Sequence, residues 1–506
     1  AIHFTAVRKL SGEGDFMKTI LQKTVSILLL LSAILTGFIL PVMQADASFE
    51  IPGICQVQTD AGGSGTVKTL DYSYDDNTYF SLRDIAMLLK DTEQSFSLEI
   101  TGSAVSLNPG SAYTPVGVEN VPWEGSGAMD IALRRNEFKV NGEKVFYYTL
   151  ITQLSSGDYD CFMMAADLAM ILDMGVTVSS AGTLQIHTQK PFDLSPDALE
   201  EAGYFYGVNS VLVGDATTGE IYYQYQSDTP YPIASTSKLM TCLLTMEAIS
   251  AGQLTPDAQV TISHAVQSLA VSGDGVVPLK AGEQISVQEL LVGALLPSSN
   301  ECALCLAESV AGSEDVFVQR MNAKAQELGL SQTIFYNSNG LPSFTEDFIP
   351  AKRQNSMSAK DMFRLASYLL NVYPQITDIT SLEEATLESL DFKVRNTNPL
   401  LHNLPETTGL KTGTTNRAGA CLVTSLTADD GTMEHDLVVI VLGAEDSIER
   451  GRVSGMLARY ALNTFENGTE GAESGTDVQT NGNLPTHAEA AVDRVIQTAR
   501  KHQLSE

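Results

Sequence analysis

The second half of the chain has strand-like segments at both of its ends and helix-like segments between them, and this order restricts the fold. The strand-like segments, each next to turn residues, are Val208–Val213, Glu220–Tyr225, Gly419–Leu426 and Asp436–Leu442. Helical periodicity appears in Leu239–Ser250, Val287–Leu296, Val316–Leu328, Ala359–Leu370 and Ile448–Phe465. Strands that flank a run of helices are expected to pair in a single sheet. The pattern therefore predicts an antiparallel sheet that holds a helical insertion, an α+β arrangement.

An internal repeat occupies the first half of the chain. Tyr79–Leu89 matches Phe162–Leu172, and both copies contain the pattern Asp-apolar-Ala-Met-apolar-Leu. Strand-like segments follow the copies at Phe96–Leu107 and Val176–His187. The repeat predicts a small α+β module over residues 48–190. The module loosely resembles the N-terminal domain of some copper amine oxidases, but it has no copper ligands and no cluster of catalytic residue types.

The start of the chain predicts export. A positively charged beginning, the apolar run Val25–Val42 and small residues at 45–47 are typical of a secretory signal peptide, which we place at residues 17–47. Residues 1–16 precede the first methionine, and we expect them to be upstream sequence translated from an incorrect start. The alternative is a retained membrane anchor, because the apolar run approaches spanning length. Either way, we expect the protein to act outside the cytoplasm, in the cell envelope or secreted.

Composition changes mark the other boundaries. Pro191 and Pro196 bracket polar residues and predict a linker over residues 191–203, between the module and a second domain at 204–465. Residues 466–506 begin with a stretch rich in Gly, Thr and Asn, which predicts a flexible tail.

Charge and cysteine usage exclude several classes of partner. The chain has 61 acidic and 30 basic residues, a formal charge of −31, and such a surface repels nucleic acid. Cys302 and Cys305 form a C-x-x-C pair, but no second pair and no His stands at metal-ligand spacing. Because both lie in an apolar helical stretch, we predict that they are core residues, and we expect no metal and no cofactor.

Three short motifs occur in order within the second domain. Ser235–Lys238 reads S-x-x-K at a helix start, Ser298–Asn300 reads S-x-N in a loop, and Lys411–Gly413 reads K-T-G before a strand. The second motif follows Ser235 by 63 residues and the third by 176. Alone, each has an ordinary explanation as a turn, a helix cap or a surface lysine. In this order, however, they are typical of penicillin-binding proteins and class A β-lactamases.

The residue types suit covalent catalysis. Ser and Lys at positions i and i+3 project from the same face of a helical turn, and a neutral Lys can take the hydroxyl proton. The Ser298 hydroxyl can relay protons toward a leaving amine, and the Asn300 amide can hold a substrate carbonyl. Lys411 and Thr412 suit a substrate carboxylate, and Gly413 permits close backbone approach.

Further segments extend the match to a known family. They read N-S-N-G-L, S-A-K-D-M, N-T-N-P-L-L and A-G-A-C-L, and begin at Asn337, Ser358, Asn396 and Ala418. With the three motifs, they resemble the low-molecular-mass penicillin-binding proteins that are serine-type D-alanyl-D-alanine carboxypeptidases, over residues 204–465. The resemblance implies a β-lactamase/transpeptidase-like fold, a five-stranded antiparallel sheet flanked by helices.

The resemblance also implies roles for individual residues. Ser235 is the expected acylated nucleophile, Lys238 its base, and Ser298 a group that assists proton transfer. The backbone N–H groups of Ser235 and Thr414 are expected to form the oxyanion hole. The residues expected to bind the substrate are Asn300, Lys411, Thr412, Gly413, Thr414 and Arg450.

Two positions leave questions for the structure. Arg450 matches an arginine that the family is thought to use for the terminal carboxylate, but Arg452 stands two residues away. Ser299 replaces the Gly that is usual in the middle of the second motif, and we expect it to tighten that loop.

Other functions compete with the carboxypeptidase. A class A β-lactamase needs E-x-x-L-N to activate water, and the nearest match, Glu384–Glu388, ends in Glu instead of Asn. The other alternative is a non-catalytic wall-binding or penicillin-sensing protein in which the site only acylates.

The expected partners follow from the resemblance. They are the D-Ala-D-Ala terminus of peptidoglycan stem peptides and β-lactams as inhibitors. The N-terminal module is expected to place the site relative to the wall or a membrane surface. Its alternative role is that of a stabilising lid packed on the second domain.

Overall fold

Strands and helices occupy most of the chain in a computed structural model. The structure describes residues 49–72, 77–121, 123, 129–130, 134–178, 183–201, 205, 207–342 and 353–467. The strands within these residues are β1 Phe49–Thr59, β2 Ser64–Tyr72, β3 Asn77–Ser81, β4 Phe96–Thr101, β5 Ala104–Pro109, β6 Met129–Asp130, β7 Arg134–Val140, β8 Glu143–Gln153, β9 Tyr159–Met164, β10 Gly175–Val178, β11 Leu184–His187, β12 Ser210–Asp215, β13 Ile221–Tyr225, β14 Tyr231–Pro232, β15 Gln259–Thr261, β16 Gln284–Ser286, β17 Ser356–Met357, β18 Glu384–Leu387, β19 Phe392–Arg395, β20 Thr407–Thr415, β21 Gly419–Asp429 and β22 Glu434–Ala444.

The helices agree closely with the predicted segments of the second domain. Within the same residues they are α1 Leu82–Leu89, α2 Ala165–Leu172, α3 Pro196–Glu201, α4 Lys238–Ser250, α5 His264–Ala270, α6 Val287–Leu295, α7 Asn300–Ala311, α8 Glu314–Glu327, α9 Ala359–Val372, α10 Thr377–Thr380 and α11 Ser447–Asn467. Short 3-10 turns lie at Ala234–Ser237, Pro374–Ile376, Glu388–Leu390 and Pro399–His402.

The sheet of the second domain is assembled from both ends of that region. Its order is β13-β12-β22-β21-β20, and every neighbouring pair is antiparallel. The helical insertion lies between β13 and β20 in sequence. Side chains alternate between two cores, because Leu212 packs with the inserted helices whereas Val211 packs with α11. This arrangement confirms the predicted sheet flanked by helices.

The two copies of the repeat meet at the middle of a second sheet. Within the described residues this sheet has the order β10-β11-β1-β2-β3-β9-β8-β7-β5-β4, with β6 beside β1. Strands β3 and β9, one from each copy, pair antiparallel with Tyr79 opposite Met164 and Phe80 opposite Met163. Phe80 and Met163 are equivalent positions in the repeat, so the register relates the copies by a local two-fold axis.

A buried ion pair lies inside the first copy. Lys68 Nζ donates to Asp84 Oδ1 over 2.6 Å, and the two side chains are 4 % and 0 % exposed. The same carboxylate accepts the backbone N–H groups of Lys68 and Asn120. Hydrogen bonds of this kind compensate for the loss of hydration of a buried charge.

The segment predicted as a linker joins the packing of the second domain. It contains α3, in which Leu199 is buried. Leu199 and Ala166 share one hydrophobic core with strands β12, β21 and β22 and with α11. Apolar residues from both sides of the segment therefore meet in one core. The domain boundaries themselves stay a prediction.

The predicted upstream segment, signal peptide and most of the tail lie outside the described residues. Among the helices that the structure describes, none is long and apolar enough to cross a membrane.

The buried ion pair gives a stability prediction. Replacing Asp84→Ala leaves the Lys68 ammonium buried without its carboxylate, and we expect the free energy of unfolding to fall by about 3–5 kcal/mol. Denaturant unfolding followed by circular dichroism measures this change.

An exposed ion pair of the same sheet supplies the control. Lys144 and Glu137 lie 2.8 Å apart, and their side chains are 56 % and 45 % exposed. Glu137→Ala should change the free energy of unfolding by less than about 1 kcal/mol. Equal effects of the two substitutions would contradict the energetic importance of the buried pair.

Candidate active site

The first motif lies where a 3-10 turn runs into a helix. The turn Ala234–Ser237 is held by hydrogen bonds from the Thr236 and Ser237 hydroxyls to the carbonyls of Ile233 and Ala234. Helix α4 then begins at Lys238. The spacing of one turn brings Lys238 Nζ to 2.8 Å from the Oγ of Ser235, which is partly exposed. An amine and an accessible hydroxyl at this distance can exchange a proton.

Burial shapes the chemistry of Lys238. Its side chain is 0 % exposed, and Nζ donates at 2.8 Å to Ser235 Oγ, Asn300 Oδ1 and the carbonyl of Asn339. Burial lowers the pKa of Lys238 to about 7, although the charge of Glu301 opposes this shift. A substantial fraction of the amine is therefore neutral near neutral pH, as a general base requires.

The second motif is only partly in contact with this pair. Asn300 begins α7, and its amide accepts from Lys238 and donates to the carbonyl of Asp274 over 3.0 Å. Ser299 is the N-cap, with Oγ accepting from the N–H of Cys302, so the residue that replaces Gly stabilises the helix start. Ser298 has a φ of 67°, and among the described residues no hydrogen bond joins its hydroxyl to the catalytic pair.

The third motif lies on the edge strand β20. Lys411 is buried, and burial together with the charges of Lys238 and Arg450 holds the pKa of Lys411 well below its usual value. The hydroxyl of Thr412 lies 2.5 Å from that of Thr397. Thr397 in turn donates its N–H to Leu296, just before the second motif. Thr397 therefore connects the second and third motifs.

Two glycines permit the close packing around Ser235. A Cβ on Gly413 would lie 2.8 Å from the backbone nitrogen of Ser235. A Cβ on Gly340 would lie 1.9 Å from the carbonyl of Ala234, and this glycine has a φ of 91°. Larger residues at either position would separate β20 or the Asn339 carbonyl from the turn that carries Ser235.

The structure distinguishes the two candidate arginines. Arg450 is 7 % exposed, and its Nη1 donates to Thr414 Oγ1 over 3.2 Å. Burial lowers the pKa of Arg450, and its Nε has no hydrogen-bond partner among the described residues. Arg452 instead donates to Met164 of the N-terminal sheet and pairs with Glu449. Arg450 is therefore the arginine next to the third motif.

Sequence reasoning missed several supporting residues. Glu301 is fully buried, and its Oε1 accepts the N–H groups of Val276 and Val277, which anchors the loop whose Asp274 carbonyl holds Asn300. An acidic residue at the start of the apolar helix α7 was the available signal, since buried acids are rare without partners. The bridging hydroxyl of Thr397 had no such signal.

The C-x-x-C pair lies in the core, as predicted. Cys302 and Cys305 are 0 % and 1 % exposed, and burial raises the pKa of both thiols. The described residues contain no group of three His, Cys, Asp or Glu side chains that could hold a metal ion.

The arrangement provides the components of acyl transfer. A half-buried hydroxyl contacts a buried amine with a pKa near neutrality. The positive charges of Lys238 and Arg450 both act on the buried amine of Lys411. Such a site suits a substrate with an acyl group to transfer and a negative charge beside it.

Comparisons with known proteins agree with this chemistry. Residues 206–446 match the family described as "D-alanyl-D-alanine carboxypeptidase". The chain is 35% identical over 260 residues to the D-alanyl-D-alanine carboxypeptidase DacF of Bacillus subtilis, covering 51% of this chain and 62% of that protein. It is 32% identical over 258 residues to DacC of Escherichia coli, covering 50% of this chain and 61% of the relative. The chain thus spans about three fifths of the length of these curated relatives.

Solved structures include chains similar to this one. Penicillin-binding protein D2 from Listeria monocytogenes, in its ampicillin-bound form, is 30% identical with a TM-score of 0.43. The alignment covers 50% of this chain and 97% of that one.

The pKa of Lys238 predicts a pH dependence. Because the amine accepts the Ser235 proton only when neutral, the acylation rate with a fluorescent penicillin should rise through pH 7, where its pKa lies, and level off above about pH 8. Below pH 7 the rate should fall about tenfold per pH unit. A rate independent of pH between 5 and 8 would contradict the role of Lys238.

Glu301→Gln tests the electrostatic origin of this midpoint. The Glu301 charge raises the pKa of Lys238, so removing it should move the midpoint to lower pH. The amide oxygen can still accept from Val276 and Val277. An upward movement of the midpoint would contradict the stated cause.

Proposed function

Because residues 206–446 belong to the D-alanyl-D-alanine carboxypeptidase family, we propose that the chain is a serine-type D-Ala-D-Ala carboxypeptidase of peptidoglycan stem peptides. The observation that carries the proposal is the contact of 2.8 Å between Ser235 Oγ and a buried lysine whose pKa is about 7. This pair supplies both a nucleophile and its base in one helical turn.

The proposed reaction begins with acylation. Lys238 takes the proton of Ser235, and Oγ attacks the carbonyl carbon of the penultimate D-alanine. The backbone N–H groups of Ser235 and Thr414 donate to the developing oxyanion. The peptide bond breaks, the terminal D-alanine leaves with a proton relayed from Lys238 through Ser298, and water then hydrolyses the ester. Ser298 would form its contacts only when substrate is bound, since catalytic hydrogen bonds often tighten in the complex.

The remaining residues of the site hold the substrate in this proposal. Asn300, already oriented by Lys238 and Asp274, offers its amide to the peptide backbone. Lys411, Thr412 and Arg450 face the terminal carboxylate, and Gly413 lets β20 approach Ser235. The unpartnered Nε of Arg450 supports this assignment, because a buried donor requires an acceptor.

β-Lactams are the proposed inhibitors, and a β-lactamase is the alternative that the fold permits. The segment considered for water activation forms β18 and the first residue of the turn after it. Glu384 is half-exposed and ion-paired with Lys393 and Arg395. A half-exposed glutamate whose charge is compensated by two ion pairs is poorly suited to act as a base at Ser235. This observation favours a slow hydrolysis of the penicilloyl ester.

The proposed location is outside the cytoplasm, in the cell envelope or as a secreted protein. Support comes from the signal-like sequence at residues 17–47 and from the peptidoglycan chemistry of the family. Contact of the N-terminal module with wall polymer or a membrane surface belongs to the same proposal.

Covalent catalysis gives the direct test of this function. Ser235→Ala should lose both fluorescent penicillin labelling and D-alanine release from a diacetyl-tripeptide ending in D-Ala-D-Ala, with loss of at least about a thousandfold. The matched control is Ser309→Ala, which removes a hydroxyl that bonds to the Cys305 carbonyl on α7. Labelling of Ser235→Ala at the normal rate would overturn the assignment.

The fate of the acyl-enzyme separates the three candidate functions. We expect sustained release of D-alanine but a penicilloyl ester that persists on a gel for many minutes after free penicillin is removed. Rapid, sustained nitrocefin hydrolysis would instead support a β-lactamase. Stable labelling without any D-alanine release would support the penicillin-sensing alternative.

A further inference from the structure

The two copies of the N-terminal repeat differ at two positions next to their helices. In the first copy, Ser81 caps α1 through the N–H of Asp84, and Asp84 pairs with Lys68 inside the module. The equivalent residues of the second copy are Met164 and Asp167. Neither reproduces the contacts of the first copy.

Both second-copy residues face α11 of the other domain instead. Met164 provides no side-chain cap to α2, and its Sδ accepts from Arg452 Nη1 over 2.8 Å. Asp167 is only 8 % exposed, and its main charged neighbours are Arg452 and Arg459. The contacts that stabilise the first copy internally are thus replaced by contacts between the module and α11.

The same stretch of α11 carries the arginine of the candidate active site. A cavity between the module and α11 is lined by Tyr148, Asp167, Gly451 and Arg452. Arg450 lies between the lining residues Ile448 and Gly451 of α11, donates to Thr414 beside the third motif and interacts electrostatically with Tyr148. The module therefore contacts the helix within two residues of Arg450.

We propose that the second copy of the repeat positions Arg450, through Met164 and Asp167 acting on Arg452 and Arg459, and so tunes recognition of the substrate's terminal carboxylate. This inference rests on the proposed carboxypeptidase function. Met164 and Asp167 are positioning residues, because they act through α11 without touching the substrate. A module that only stabilised the fold would have no selective effect on carboxylate binding.

Asp167→Asn in the full chain tests the proposal. We expect KM for the D-Ala-D-Ala peptide to rise about threefold or more, as coupled residues do, with kcat within about twofold. Burial raises the pKa of Asp167 to about 6, so ionisation above that pH opposes folding. Since Asn removes this charge, the melting temperature at pH 7.5 should not fall, and a change in KM cannot be attributed to unfolding.

Asp160→Asn is the matched control. Asp160 is a fully buried carboxyl group on β9, the strand that precedes α2, and burial raises its pKa to about 6 as well. Its hydrogen-bond partners are Ser81 and the Cys161 N–H. This substitution should leave KM unchanged. An equal rise of KM in both variants would overturn the positioning role.

A double substitution tests whether Asp167 acts through Arg450. In an Arg450→Ala background, adding Asp167→Asn should raise KM by less than about 1.5-fold, because the positioned group is gone. The inference would be overturned if Asp167→Asn raised KM by the same factor in the wild-type and Arg450→Ala backgrounds. An unchanged KM in Asp167→Asn alone would overturn it as well.

The wild-type chain separates failure of the inference from failure of the proposed function. Absence of D-alanine release by wild-type protein would overturn the function alone. The second-order rate of penicillin acylation, which also involves a ligand carboxylate, would then replace KM in the same comparisons. Equal rates for wild type and Asp167→Asn would overturn the inference.

Discussion

The site depends on one constraint, the burial of a lysine amine against a serine hydroxyl. Lys238 is fully buried, and each hydrogen bond it makes comes from a different part of the second domain. The turn before α4 supplies Ser235, the start of α7 supplies Asn300, and the glycine-containing segment after α8 supplies the Asn339 carbonyl. Burial without a paired carboxylate at hydrogen-bond distance lowers the pKa of the amine. The nearby Glu301 charge opposes this shift, and the resulting pKa is about 7.

Burial also lowers the pKa of the two neighbouring cationic side chains, Lys411 and Arg450. Lys411 and Arg450 are both buried, and repulsion from the charges of Lys238 and Arg450 adds to burial in disfavouring the charged form of Lys411. An anionic group bound among them would relieve that repulsion, so the site is electrostatically prepared for a carboxylate. The N-terminal sheet takes part in this preparation by the inference above, since it contacts α11 near Arg450. The module would then belong to the catalytic unit as well as to its placement in the envelope.

The sequence predicted much of the second domain because its signals were local. Apolar periodicity defined the helices, turn residues defined the hairpins, and the three motifs occurred in the order typical of the family. Contacts between distant segments were not accessible in this way. The choice between Arg450 and Arg452 depended on which side chain faces β20. The role of Thr397 became visible only from its hydrogen bonds to Leu296 and Thr412, which are distant from each other in sequence. The shared core around Leu199 also escaped prediction, since two prolines suggested a linker.

The titration of Lys238 itself tests the central claim most directly. Protein labelled with 13C at the lysine ε carbons can be followed by NMR from pH 5 to 11, and Lys238→Arg identifies the resonance. The account predicts a midpoint at about pH 7 for this resonance. A midpoint near pH 10.4, shared with exposed lysines, would show that the buried amine stays charged and would contradict its role as the base.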